Sequence, residues 1–352
     1  MRPSTAPLRI VACAAAAPTA QGVARHLGVP LVQAEEAWFA CGEGKFVLQE
    51  NVRGADVYVV QRCLGPDARS PYDRFVMLLH AVEAAALSDA ERITVVVPTY
   101  PGARQDKRKG RVREGISAGL FARMLQEAGA HRVVTVDIHN EAIAGMFDPA
   151  VCSLENVSAT HRFSAWLRAR GLSGDTVAAP DVGGLERARH MAAELGARLV
   201  ALSKERDHST INRVVRTTLI GAVEGQDVLL LDDIVDTAGS AVAAIEALVG
   251  HGARGVTLAC VHPIFSGPAW ERLATLHARA VAGGWRFAVA GTTAIPWADA
   301  PPWYHSFPLE PLLAQVLEKL HSRGSVTGAQ QADDPDGTEE LPFSAEGAPA
   351  PD

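Results

Sequence analysis

The 352-residue chain has no Lys or Arg after Arg323, no apolar run of membrane-spanning length, and only five cysteines. Each shortage removes a class of protein. Cys13, Cys41, Cys63, Cys152 and Cys260 are odd in number and widely separated, without the close pairs of a zinc site or a redox dithiol. They read as reduced, buried thiols of a cytoplasmic protein. The alanine-rich stretch from Val11 to Ala17 lacks the apolar core of a transmembrane helix, and its place after Leu8-Arg9-Ile10 suits a first strand and loop better than a signal peptide. The missing cations leave the C-terminal end to Asp333, Asp334, Asp336, Glu339, Glu340, Glu346 and Asp352. Setting those aside from the 40 acids leaves as many acids as the 33 bases, so the net charge of −7 sits in the tail. The balanced body offers no general electrostatic case for nucleic acid or an anionic membrane.

What is present suits a packed protein: 48% hydrophobic residues, in a chain long enough for two domains. Asp56 to Gln61, Ile93 to Pro98 and Arg132 to Ile138 read as strands separated by helical periodicity, which indicates a parallel α/β arrangement. The second half repeats the pattern with Thr176 to Ala179, Arg198 to Leu202, Val228 to Leu231, Gly255 to Val261 and Arg286 to Ala290. Two similar layered domains are therefore expected, joined near Asn156. Leu309 to His321 has apolar residues at helical intervals and is expected to be the last ordered element. From Gly328 onward Pro, Gly, Ala and acids dominate, and burial could not offset the entropy of ordering them.

The most informative segment is Val228 to Ser240, VLLLDDIVDTAGS. An apolar run ending in Asp232 and Asp233 sets acids at the carboxyl end of a strand, where open α/β sheets bind ligands. Such carboxylates accept hydrogen bonds from sugar hydroxyls. Asp236, Thr237, Ala238, Gly239 and Ser240 then form a turn of small residues at a helix start, leaving backbone N–H groups to face an anion such as a 5-phosphate.

Other segments are weaker alone. RQDKRKGRVR, from Arg104 to Arg113, has six cations and one acid after a strand ending at Pro98; such a cluster attracts polyphosphate, though a charge run by itself is usually a solvated loop. His139 follows the strand VVTVDI, a place where histidine is more often structural. Asp181 precedes paired glycines that allow close backbone approach to a ligand. Lys204 and Arg206 follow another strand and precede the polar stretch DHSTINR, which reads as a mobile loop able to close over substrates.

Together these segments carry a resemblance. Val228 to Ser240 resembles the phosphoribosyl-diphosphate-binding motif shared by phosphoribosyltransferases and ribose-phosphate diphosphokinases, with Ser240 in place of the usual threonine. Pro98 to Phe147 resembles the ATP-binding region of the ribose-phosphate diphosphokinases, which the phosphoribosyltransferases lack. The loop between Asp106 and Ile116 is slightly longer than the common family form, so no single cation inside it is assigned.

The resemblance implies an α/β fold of two similar phosphoribosyltransferase-like domains with central parallel sheets flanked by helices. Residues 8–155 would form the ATP-side domain and 156–302 the ribose-5-phosphate domain. Residues 303–327 would be a terminal strand and helix packing on the body, chiefly on the N-terminal domain, and 328–352 a disordered acidic tail. It implies ATP contacts from Arg104, Gln105, Asp106 and His139, with Phe39 stacking on the base and Gly42 and Glu43 in their expected places. Cys41 stands where the family usually has Asp or Asn. Mg²⁺ would lie at His139 and Asp181, while Lys204 and Arg206 would be catalytic. Asp232, Asp233 and the turn Asp236 to Ser240, with Arg206, would hold ribose 5-phosphate.

The implied reaction moves the diphosphoryl group of ATP to O1 of ribose 5-phosphate in a cytoplasmic homo-oligomer, a hexamer or smaller. The alternatives at this point are a catalytically weak regulatory paralogue, motivated by Cys41 and the alanine-rich first loop, and, more distantly, a phosphoribosyltransferase.

Overall fold

A computed structural model describes residues 6–66, 69–108, 110, 112–206 and 214–331, the side chains of 204–206 and 214–217 excepted. The first half forms a sheet of five parallel strands in the order β1-β4-β5-β6-β7: β1 (Leu8–Ala12), β4 (Asp56–Val60), β5 (Arg92–Val96), β6 (Arg132–Val136) and β7 (Ser153–Val157). Strands such as DVYVV are buried on both faces, hence the continuous apolar runs. Helices α1 (Ala17–Leu27), α2 (Pro71–Leu87) and α3 (Ser117–Glu127) connect them. The antiparallel hairpin of β2 (Ala34–Trp38) and β3 (Gly44–Leu48) stands apart from that sheet.

Among the described residues the second half has seven strands in the order β10-β9-β8-β11-β12-β13-β14. They are β8 (Thr176–Ala179), β9 (Arg198–Arg206), β10 (Val214–Ile220), β11 (Asp227–Val235), β12 (Gly255–Pro263), β13 (Arg286–Thr292) and β14 (Tyr304–Phe307). Only the β9–β10 pair is antiparallel. The helices of this half are α4 (Thr160–Ala169), α5 (Leu185–Leu195), α6 (Gly239–Gly250) and α7 (Ala269–Gly283). The chain steps from β8 outward to β9, then returns to place β11 on the other side of β8. That reversal is a topological switch point, where the carboxyl ends of neighbouring strands diverge and open a crevice.

The C-terminal segment packs its helix on the first half but also bridges to the second, and it is ordered further along the chain than expected. It does not pack on one half alone: β14 extends the second sheet beside β13, while α8 (Glu310–Ser322) lies against α1 of the first half. Order also continues past residue 327, because α9 (Val326–Gln331) follows α8 and buries Ala329. Arg162 fixes it, donating from Nη2 to Gln315 Oε1 at 2.5 Å and to the Ala329 carbonyl at 2.8 Å. The polar composition hid this anchor, which arises from a buried arginine on α4. The remainder of the acidic tail lies outside the described residues.

One apolar core runs through both halves, joining Ile10, Val134 and Phe163 to Leu229, Phe307 and Leu317. His262 of β12 adds a polar stitch across the seam. Its ring is fully buried, with Nδ1 2.8 Å from Thr99 Oγ1 and Nε2 3.3 Å from the Asp137 carbonyl. A carbonyl only accepts, so Nε2 carries the proton and Thr99 donates to Nδ1.

Burial lowers the His262 pKa from 6.5 to about 4. The unfolded chain therefore binds the extra proton between those values, and stability is complete above pH 6.5 and lost as pH falls toward 4. The loss attributable to this ring is on the order of 3 kcal/mol. His262→Gln should flatten the fall in urea midpoint over that window; an unaltered slope would remove His262 as its cause.

Candidate active site

The carboxyl ends of the parallel strands in both halves face a shared cleft. From the first half come the loop after β5, with Thr99, Arg104, Gln105 and Asp106, and the end of β6, with His139. From the second half come Asp232 and Asp233 of β11, the turn that follows, His262 at the end of β12, and Ser266 in the loop after it. Arg104, Gln105, His139, Asp236, His262 and Ser266 line one cavity of about 360 Å³, backed by Tyr72, Tyr100, Phe121 and Ile264.

Two contacts join the halves through charge. His139 Nδ1 lies 2.5 Å from Asp233 Oδ2, and Arg104 Nη2 lies 2.6 Å from Asp236 Oδ2. Asp233 is 6% exposed and also receives Arg187 Nη2 of α5 at 3.5 Å. Burial pushes this carboxyl up, but hydrogen bonding to His139 and the nearby Arg187 guanidinium outweigh it, so Asp233 is held well below the usual carboxylate range. Asp232 moves the other way: burial and the neighbouring Asp233 charge raise it to about 7. The hydrogen bond to Asp233 raises His139. Asp236 is lowered against the effect of burial, by Ser266 Oγ and by Arg104.

The turn after β11 has the shape its small residues imply. Ala238 precedes α6 in the left-handed region, with φ +59° and ψ 0°, a conformation that costs a non-glycine residue about 1–2 kcal/mol. The first turn of α6 leaves its N–H groups without intrahelical acceptors and adds the positive end of the helix dipole. Thr237 and Ser240 are exposed, while Ala238 is buried.

Asp106 is buried and accepts from Asn140 of the same DIHN segment that carries His139; burial raises its carboxyl, but Asn140 and Lys107 outweigh it. Gln105 accepts from Ser117 Oγ at the start of α3. Asp181 follows β8, on the other side of the switch point from Asp232 and Asp233, and its carboxylate accepts from the Gly184 N–H at 3.1 Å. It lies close enough to contribute to the rise of Asp232. Lys204 and Arg206 occupy the end of β9, paired in register with Thr217 and Val214, and their side chains lie outside the described residues.

Phe39, Cys41, Gly42 and Glu43 lie together in the β2–β3 hairpin and do not line the cavity. Phe39 is 52% exposed, with Lys45 Nζ 5.9 Å from its ring, and Cys41 Sγ lies 3.7 Å from Glu43 Oε2.

Reading the sequence missed Arg187, Asn140, His262 and Ser266. The last two follow the apolar run GVTLACV, so the strand-end rule that singled out Asp232 applied to them as well. Arg187 lies in the first turn of a helix entered through paired glycines, and only its tertiary approach to Asp233 marks it out.

Among the described residues no three His, Cys, Asp or Glu side chains form a metal cage. That is compatible with Mg²⁺, which keeps several waters and is held by one or two carboxylates together with substrate phosphates. A desolvated carboxyl pushed up by the carboxylates beside it is an electrostatic deficit that a hard divalent cation would relieve.

Comparison with known proteins follows this geometry. Residues 8–129 match the family model of the N-terminal domain of ribose phosphate pyrophosphokinase, and residues 154–273 match the phosphoribosyl transferase domain. The chain is 34% identical over 309 residues to a ribose-phosphate pyrophosphokinase of Corynebacterium ammoniagenes, covering 88% of this chain and 92% of that one. It is 36% identical over 304 residues to the enzyme of the same name from Wolinella succinogenes, covering 86% and 93%. The crystal structure of phosphoribosylpyrophosphate synthetase from Mycobacterium smegmatis superimposes with a TM-score of 0.80 at 31% identity, covering 90% of this chain and all of that one. The chain belongs to the ribose-phosphate pyrophosphokinase family.

Proposed function

We propose that the protein transfers the β,γ-diphosphoryl group of ATP to the 1-hydroxyl of ribose 5-phosphate, giving phosphoribosyl diphosphate and AMP. The observation that carries this reading is the pairing of Arg104 with Asp236 and of His139 with Asp233, which brings a polyphosphate-attracting segment against a sugar-phosphate turn in one cleft. O1 of the ribose attacks the β-phosphorus, the bond from that phosphorus to the α-phosphate oxygen breaks, and AMP departs with the electron pair. The hydroxyl proton passes to solvent.

The residues act chiefly by positioning and by neutralising charge on the transferring group. The turn Asp236 to Ser240 receives the 5-phosphate on its backbone N–H groups, and Asp232 and Asp233 accept hydrogen bonds from the ribose hydroxyls. Arg104 and Gln105 take the ATP phosphates, with Asp106 and Asn140 bracing the loop. Lys204 and Arg206, in the last residues of β9, act on the transferring group, and Arg206 also serves the ribose phosphate. His139 and Asp181, beside the two β11 carboxylates, would hold Mg²⁺, which when bound withdraws charge from the phosphates. The base-binding role of Phe39, Cys41, Gly42 and Glu43 belongs to the same reading, as do a cytoplasmic location and a homo-oligomeric assembly.

Formation of AMP should require both ribose 5-phosphate and Mg²⁺; a folded sample that binds both substrates and releases no AMP contradicts the proposal. Lys204→Ala is expected to lower kcat by about a hundredfold or more with little loss of ribose 5-phosphate binding, and an unchanged rate removes Lys204 from the mechanism. Arg187→Gln, which strips Asp233 of one cation, should lower kcat/KM for ribose 5-phosphate by about tenfold. A value equal to the parent enzyme would make Arg187 dispensable.

A further inference from the structure

We propose that Arg272 is a positioning residue for the phosphate-binding turn, holding the Thr237–Ala238 peptide so that its N–H points into the cleft. The inference rests on reading that turn as the 5-phosphate site. Arg272 lies in the first turn of α7, after the loop that carries Ser266, and its Nη1 donates to the Thr237 carbonyl at 2.7 Å.

The approach comes from outside. Arg272 lines a separate groove between α6 and α7, with Val242, Pro268 and Thr275, whereas Asp236 faces the cavity shared by the two halves. The Thr237–Ala238 peptide is trans, so its C=O and N–H point to opposite sides of the chain. A carbonyl drawn outward by the guanidinium aims the Ala238 N–H inward.

The turn needs such a restraint because of what stands at its centre. Ala238 holds a left-handed conformation that its methyl group disfavours, and rotation back to an ordinary one would swing the neighbouring N–H groups away from the anion. Asp236 is already fixed by Arg104 and Ser266. Arg272 supplies the matching anchor on the far side. The same guanidinium lies close behind the next residue, where a Cβ on Gly239 would meet Nη1 at 3.2 Å. Its positive charge, behind the turn, also adds to the field of the α6 N-terminus.

Calorimetric titration of ribose 5-phosphate into the full chain reads this arrangement directly, and steady-state kinetics read it a second way. Arg272→Gln is expected to weaken binding about five- to tenfold and to raise KM for ribose 5-phosphate by a similar factor. KM for ATP should shift by less than about twofold. Adding Ala238→Gly to Arg272→Gln should recover most of the loss, because glycine adopts the left-handed conformation without a clamp. Arg272→Lys, which keeps the charge and much of the stem, should lie between the parent and the glutamine variant; it carries the test if the glutamine variant does not fold. Three results overturn the proposal: undiminished binding in a folded variant, an equal rise in both KM values, or no recovery with Ala238→Gly. Failure of the unsubstituted protein to bind ribose 5-phosphate overturns the reading of the turn itself, and this inference with it.

Discussion

Asp233 lies buried at the end of β11, where an ionised carboxylate survives only if cations reach it. One comes from its own half, Arg187 on α5, and the other from the first half, His139 at the end of β6. Neither half satisfies this charge as fully as the two together, so the positions of the two sheets are tied to the chemistry of the cleft. Asp232, next in the chain, is the opposite case: burial and the neighbouring carboxylate push it toward its neutral form. Two adjacent residues on one strand end thus differ sharply in their hold on a proton. The proposed recognition of sugar hydroxyls and of a divalent cation would draw on that contrast.

The fold sets up this arrangement through strand order rather than through any single loop. Returning from β9 to place β11 beyond β8 separates the loop carrying Asp181 from the turn carrying Asp236, and the crevice between them meets the end of the first sheet. Backbone strain gathers at the same place: Asp137 has φ +38° just before His139, and Ala238 has φ +59° just before α6. Such conformations persist only where surrounding contacts over-determine them. At Asp137 the restraint is the Ala159 N–H on its carboxylate and His262 on its carbonyl; at Ala238 it is the pair Arg104–Asp236 on one side and Arg272 on the other.

Local patterns carried much of this into the sequence. Continuous apolar runs of four to six residues are what strands buried on both faces require, so the parallel sheets and the repeated layering could be read directly. Asp232, Asp233 and the turn to Ser240 were readable because strand, acids and small residues are contiguous. Arg187 was not, because its partner lies in a distant segment and nothing nearby in sequence distinguishes it from an ordinary helix cation; His262 did stand at a readable strand end, but its partners Thr99 and Asp137 lie far away in the chain. The Ala329 anchor was hidden for the same reason: the polar six-residue helix is held by Arg162 and Ser158, both distant in sequence, and by packing against α8. The hairpin bearing Phe39 is the opposite case, since its residues stand together as the sequence grouped them yet do not line the cavity.

The central claim is that His139 and Asp233, one of the two ion pairs between the halves, are coupled partners that hold the site together. A double-mutant cycle on stability tests it most directly, with His139→Asn, Asp233→Asn and the combination unfolded in urea at neutral pH. His139 is partly exposed, which keeps the expected coupling modest, at about 1 kcal/mol or somewhat more, with the double variant losing clearly less than the sum of the single losses. Single losses that add within about 0.3 kcal/mol would mean that the two side chains are neighbours without being partners.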